Sequence, residues 1–199
     1  MKYCSDCGQA VSKKIPEGDD RLRYVCDGCD TIHYQNPRII VGTIPVMDEK
    51  ILLCRRAIEP RKGFWTLPAG FMENGETTLQ GAVRESWEEA RAKLANESLY
   101  RLFDLPYINQ VYIFYRADLV DNAYSAGPES LDVALFSEEE IPWDEIAFPV
   151  VTDTLKEFFD DRKTGVFPVR VSDVDPVWHR NAAISQPIPE PKSKSGDGA

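Results

Sequence analysis

The stretch from Gly70 to Glu89 constrains this chain more than any other. From Thr77 onward, Leu79, Ala82, Val83, Ser86, Ala90 and Leu94 recur at spacings of three and four with no proline among them. That pattern predicts an amphipathic helix over residues 77–95. On it, Glu85, Glu88 and Glu89 stand at i, i+3 and i+4, so their carboxylates project from one face. Three such charges repel one another unless a cation gathers them, and oxygen-only donors suit magnesium or manganese. Arg84 and Glu88 are also four apart, which lets the arginine hold a carboxylate in place. A solvated acidic face is the ordinary explanation for a charge run on a helix. It does not require the spacing that links Gly70, Glu76, Arg84-Glu85 and Glu88-Glu89.

The second constraint is at the N-terminus. Cys4-x2-Cys7 and Cys26-x2-Cys29 match a four-thiolate zinc pattern, each pair presenting two sulfurs to one tetrahedral ion. The competing explanation is two disulfides. The start Met1-Lys2-Tyr3-Cys4 has no apolar stretch behind it, so the expected compartment is the reducing cytoplasm and zinc is favoured. Four thiolates leave no open coordination position, which makes the expected zinc structural. His33 is read as a structural histidine beside this cluster, Cys54 as a small core residue, and His179 as a histidine without a specific role.

The 199 residues suffice for one main domain and a small appendage. Residues 1–35 are read as a zinc ribbon, 36–170 as the main domain and 171–199 as a C-terminal extension, disordered from about 186 because its Pro, Lys, Ser and Gly show no periodicity. Within the main domain, residues 39–47 and 51–55 flank a turn and read as a hairpin. Residues 99–105, 110–117 and 131–136 are further strands, Ser137-x-x-Glu140 is a capping box, and 152–163 a second helix closed by Gly165. The sum is a mixed sheet flanked by helices.

A net charge of −10 disfavours nucleic acid as a partner, because such binders neutralise phosphates with lysine and arginine. It leaves small phosphorylated ligands open, since a divalent ion between acids and phosphates reverses the sign the substrate meets. No apolar run reaches the roughly 18 residues of a membrane helix.

These residues resemble the Nudix hydrolase family, whose box reads G-x5-E-x7-R-E-U-x-E-E-x-G-U with U aliphatic. Gly70, Glu76, Arg84, Glu85, Glu88 and Glu89 match in register. Ser86 departs at an aliphatic position, Arg91 stands where the family has glycine, and Ala92 is a weak final apolar residue. The lost glycine concerns how the helix ends, so altered local geometry is expected there. The resemblance runs from about residue 39 to 163 and implies an α/β/α sandwich around a mixed sheet. It also implies metal ions held by Glu85 and Glu89, with Glu88 assisting and the Ala69 carbonyl a further ligand, polarising a water for attack on a diphosphate. Glu76 would brace the loop and helix. Arg84 and Glu88 join the catalytic set, together with Glu129, which supplies a metal ligand or base unless it is a plain turn residue. Arg55, Arg56 and Gly70 are the expected substrate-binding residues, one of the two arginines being open to a surface role.

A zinc ribbon ahead of such a box is similar to the NADH diphosphatases, but their Ser-Gln-Pro-Trp-Pro-Phe-Pro motif is missing from residues 102–111. Ser185-Gln186-Pro187-Ile188-Pro189-Glu190-Pro191 looks similar but lies far downstream without the aromatics. The chain more closely resembles the ribbon-bearing subgroup that includes plastid FAD and ADP-ribose diphosphatases, through Tyr34-Gln35-Asn36-Pro37-Arg38, Trp65-Thr66-Leu67-Pro68-Ala69-Gly70 and Gly127-Pro128-Glu129-Ser130-Leu131. The expected activity is therefore divalent-metal-dependent hydrolysis of FAD or ADP-ribose, with Tyr107, Tyr112 and Phe114 either stacking on the ligand or filling the core. NADH diphosphatase or NAD-cap RNA decapping is the alternative, and a non-catalytic effector-binding module is disfavoured by the intact carboxylates. The expected partner is a small nucleotide diphosphate, with a homodimer left open.

Overall fold

The computed structural model describes residues 1–174; the expected disordered tail, His179 and residues 185–191 lie outside them. The chain divides after Pro37 into two compact units. In the first, strands β1 (Val11–Lys14), β2 (Arg23–Cys26) and β3 (Ile32–His33) form an antiparallel sheet in that order. Its buried apolar residues are Cys4, Val25 and Cys26. So small a core cannot hold a unit of this size without a cross-link or metal. The ligand atoms of Cys4, Cys7, Cys26 and Cys29 all lie within 4.8 Å of one another. Backbone N–H groups are aimed at the sulfurs: Asp6 donates to Cys4 Sγ at 3.4 Å, and Gly28 and Cys29 donate to Cys26 Sγ at 3.3 and 3.4 Å. His33 Nε2 sits 3.3 Å from Cys4 Sγ, so it contacts a ligand sulfur from outside the four-sulfur set.

The second unit, from Arg38 onward, contains β4 (Arg38–Met47), β5 (Lys50–Arg56), β6 (Trp65–Thr66), β7 (Ala69–Phe71), α1 (Thr78–Ala90), β8 (Leu94–Leu105), β9 (Gln110–Leu119), β10 (Ser130–Phe136), α2 (Pro149–Thr164) and β11 (Arg170–Asp173). The sheet runs β10-β5-β4-β9-β8-β11, with β6 added to β5 and β7 to β4. It is mixed, because β4 and β9 are parallel, as are β8 and β11, while the remaining pairs are antiparallel. Alternation along the strands serves two cores. Ile51 and Leu53 of β5 and Ile44 of β4 join Leu155, Phe158 and Phe159 of α2 on one face. Leu52 and Cys54 turn to the other face, with Ala90 of α1, Ala92 and Leu119. The result is the expected α/β/α sandwich, and Cys54 is a core residue.

Helix α1 starts with the capping box of Thr77 and Gln80 and ends at Ala90, earlier than its apolar spacing predicts. Arg91 takes φ 52, a left-handed turn that stops the helix, and Leu94 then pairs with Leu119 as the first residue of β8. Three- and four-residue spacing cannot separate a last helical leucine from a first strand leucine. Helix α2 begins at Pro149, whose fixed φ suits a first helical position, and stops at Gly165 with φ 71. Ser137 and Glu140 form their capping box around a short 3-10 turn. Residues 170–173, at the edge of the expected extension, add β11 in parallel to β8 and are tied down by Arg101, 1% exposed, whose Nη2 donates to Ser172 Oγ at 2.8 Å.

The four-sulfur geometry predicts about one tightly held zinc per chain. Cys26→Ser should abolish that stoichiometry in metal analysis and lower the melting temperature of the ribbon, with a smaller effect on the turnover number. Unchanged stability in a zinc-free ribbon would remove the metal's structural role.

Candidate active site

The site forms where β4 changes partners. One end of β4 pairs with β5 at Val46 and Ile51, while its other half pairs with β7, Val41 facing Gly70 and Gly42 facing Ala69. The loop after β7 carries Glu73 and Glu76 back to α1. Gly70 lies so close to Glu85 that a Cβ there would stand 2.4 Å from Glu85 Oε2, so its first role is clearance for that carboxylate.

Arg84 is the hub of the charges. Its Nε and Nη2 donate to the two oxygens of Glu76 at 3.0 and 2.8 Å, and Nη2 also donates to the Phe71 carbonyl at 3.1 Å. Nη1 donates to Glu85 Oε1 at 2.7 Å and Glu88 Oε2 at 3.0 Å. The guanidinium, helped by the Glu73 N–H, pulls the Glu76 carboxyl down to about 2. Glu76 thus braces the loop onto the helix.

Glu89 is 8% exposed, and its Oε2 accepts the Ala69 N–H at 3.2 Å. Burial pushes its carboxyl up to about 8; Glu85 and Glu129 add to the rise, opposed by the Ala69 N–H and Arg56. Burial likewise raises Glu85, with Glu88 and Glu129 adding repulsion against the pull of Arg84. Glu129 is therefore electrostatically part of the cluster although it is forty residues away in sequence from Glu89. Its loop is clamped to the end of α1: Ser125 N–H donates to the Ala90 carbonyl at 2.9 Å, Gly127 N–H to the Glu89 carbonyl at 2.8 Å, and the Glu129 carbonyl accepts from Ala57 N–H at 2.8 Å. A Cβ on Gly127 would fall 1.7 Å from the Glu88 carbonyl oxygen, so only glycine lets the loop approach.

Glu85, Glu88, Glu89 and Glu129 line one cavity of about 870 Å³, together with Ala69, Gly70, Arg56, Arg61, Arg84 and Arg91 and an apolar wall that includes Tyr107, Ile108, Tyr112 and Phe148. Arg55, expected to bind substrate or to be a surface charge, is not among its lining residues. Adjacent strand residues point to opposite sides, and Arg55 Nε instead braces the Gly63 carbonyl at 2.9 Å. Arg56 does line the cavity; its Nε donates to the Pro60 carbonyl at 2.8 Å and its guanidinium lies 5.1 Å from the Phe148 ring centre. Tyr107, Tyr112 and Phe114 all line the cavity; Phe114 is fully buried and belongs to the core, whereas the two tyrosines are half-buried.

Ile58 and Phe148 were not foreseen as lining residues. Pro60-Arg61-Lys62-Gly63 carries the turn and charge signal of a loop that meets ligand, and Phe148 directly precedes the proline that opens α2.

The acids share the cavity without converging: among the described residues the four cysteines are the group whose donors lie within 4.8 Å. Arg84 draws Glu85 and Glu88 to itself. A set of oxygen donors with surplus negative charge, partly desolvated, fits a hard divalent cation.

Such a cavity brings together acids with the chemistry to hold a cation and arginines with the chemistry to hold an anion. The family model described as NUDIX domain matches residues 36–155, and the one described as Nudix N-terminal, a zinc ribbon, matches 2–35. The chain belongs to the Nudix hydrolase family. It is 30% identical over 139 residues to the ADP-ribose pyrophosphatase of Methanocaldococcus jannaschii, covering 68% of this chain and 78% of that protein. It is 30% identical over 132 residues to the NAD-capped RNA hydrolase NudC of Photorhabdus laumondii, covering 65% of this chain but only 49% of that protein. The crystal structure of a NUDIX hydrolase from Nitrosomonas europaea superimposes with a TM-score of 0.85 at 52% identity, over 87% of this chain and 99% of that one.

A pH dependence follows from Glu89. Its carboxyl is raised from an ordinary 4.5 to about 8, so in this window the folded chain retains a proton that the unfolded chain releases. Ion-free protein should therefore lose stability as pH rises from about 4.5 to about 8. A divalent ion binds the carboxylate form, so its stabilising effect should grow over the same range. Thermal melting in chelator and in excess magnesium, at about pH 6 and about pH 9, checks this. Glu89→Gln should flatten both trends, and an ion effect independent of pH would contradict the assignment of Glu89 to the ion site.

Proposed function

We propose that this chain hydrolyses the diphosphate linkage of a nucleotide conjugate, ADP-ribose or FAD, with magnesium or manganese held by Glu85, Glu88 and Glu89 and by the Ala69 carbonyl. The observation that carries the proposal is that one cavity joins the carboxylate cluster to arginines and an aromatic wall. The name of the Methanocaldococcus jannaschii relative supports the ADP-ribose form of it.

The bound ion supplies charge neutralisation for the diphosphate and acidifies a water. Arg84 keeps Glu85 and Glu88 in place for it. Arg56 binds a phosphate oxygen, and Tyr107 and Tyr112 take the base or flavin ring. Glu129 accepts one proton from the water as its oxygen bonds to phosphorus; the anhydride P–O bond breaks, and the leaving oxygen departs on the second phosphate. The products are AMP and ribose 5-phosphate, or AMP and FMN.

A second reading, hydrolysis of an NAD-type cap on RNA, rests on the similarity to NudC. The chain spans about half the length of that protein. The net charge of −10 counts against an RNA polymer.

A hydrolysis panel of ADP-ribose, FAD, NADH, coenzyme A and diadenosine substrates tests the proposal. ADP-ribose or FAD should show the highest kcat/KM, with strict dependence on magnesium or manganese. Glu89→Gln should retain less than about a tenth of the rate, and Glu129→Gln should lose about a hundredfold as the missing base, both with folded melting profiles. A clear preference for NADH would sink the substrate assignment, and an unaffected Glu129→Gln would reduce that residue to a turn.

A further inference from the structure

We propose that Arg91 is a specificity-determining residue that grips the diphosphate of the substrate from the C-terminal end of α1. The inference rests on the diphosphate reading above and assigns a residue to it. Arg91 has φ 52, in the left-handed region that side chains other than glycine, asparagine and aspartate rarely enter. A long side chain kept at such a position is an outlier that points to use. The position also faces the right place, since Arg91 lines the same cavity as Glu88 and Glu129.

The side chain is held ready there. Its Nη1 donates to the Trp87 carbonyl at 3.1 Å, and the guanidinium centre lies 5.6 Å from the ring centre of Trp87. These contacts fix one edge of the fork and leave Nε and Nη2 for a ligand. Arg84, by contrast, is spent on Glu76, Glu85, Glu88 and the Phe71 carbonyl, while Arg56, like Arg91, gives one nitrogen to a backbone carbonyl. A planar fork suits the non-bridging oxygens of a phosphate. Arg91 lies about one turn beyond Glu88, beside the acids that would hold the ion, so the group within its reach is the ion-bound diphosphate. The tyrosines of the apolar wall come from β9 and the turn before it, which assigns base or flavin stacking to other residues.

Glycine adopts φ 52 freely, so Arg91→Gly removes the side chain without straining the turn. KM and kcat should be compared for ADP-ribose and FAD with magnesium, alongside calorimetric affinity for ADP with magnesium. Arg91→Gly should raise KM about tenfold for both substrates, because the diphosphate is common to them, and weaken ADP binding by a similar factor. The kcat should change little, and Arg91→Lys should fall between. The melting temperature should stay at or above that of the wild type. An unchanged KM and ADP affinity, with or without a lowered melting temperature, would make Arg91 a helix cap only. A change confined to FAD would mean flavin stacking and would equally overturn the proposal. Absence of wild-type turnover on both substrates would instead remove the proposed function, while the ADP measurement would still report on Arg91.

Discussion

The site depends on a guanidinium placed among carboxylates that would otherwise drive one another apart. Arg84 bonds Glu76 with two nitrogens and reaches Glu85 and Glu88 with a third. Because Glu76 belongs to the loop after β7 and the others to α1, one side chain fastens the loop to the helix and sets the directions of the acids. Glu89 lies outside this network. Burial, only partly opposed by the Ala69 N–H and by Arg56, pushes its carboxyl up to about 8.

That arrangement needs α1 to lie flat on β4 and to end in a defined place. Where most of the family's box has an aliphatic residue, Ser86 is wholly buried here, and it bonds Thr43 Oγ1 of β4 at 2.7 Å and the Ala82 carbonyl at 2.9 Å. The hydroxyl is therefore not an uncompensated polar group in the core. A departure from pattern at one position is satisfied by a partner on the facing strand. The end of the helix is handled similarly: its last carbonyls, which have no partner within the helix, accept N–H groups from the loop that bears Glu129. Closing the helix and delivering the distant acid are one structural act.

Much of this was legible in the sequence where periodicity or spacing carries physical information. The apolar run 51–54 reads as a strand, which the structure buries on both faces, and the spacing of Glu85, Glu88 and Glu89 puts them on one face of α1. The paired cysteines foretell the cluster of sulfurs. Other features depend on contacts that no local pattern encodes. Arg55 and Arg56 are chemically alike, and only the pleat of β5 at its exit decides that the second lines the cavity. The helix stop at Arg91 was obscured because the residue that usually marks it, glycine, is absent, and Leu94 continued the apolar spacing into what is a strand.

Arg91 shows why a missing motif residue is not always a lost function. Glycine at that position serves the backbone, which must turn left-handed to end the helix under the Gly127 loop. The turn survives here with φ 52 because the residue's own N–H donates to the Ser86 and Trp87 carbonyls, and its side chain returns to Trp87 as well. The backbone requirement is thus met by hydrogen bonds in place of steric freedom. That exchange puts a cation at the C-terminal end of a helix, where the helix dipole favours it electrostatically, and in the cavity that Glu88, Glu89 and Glu129 line.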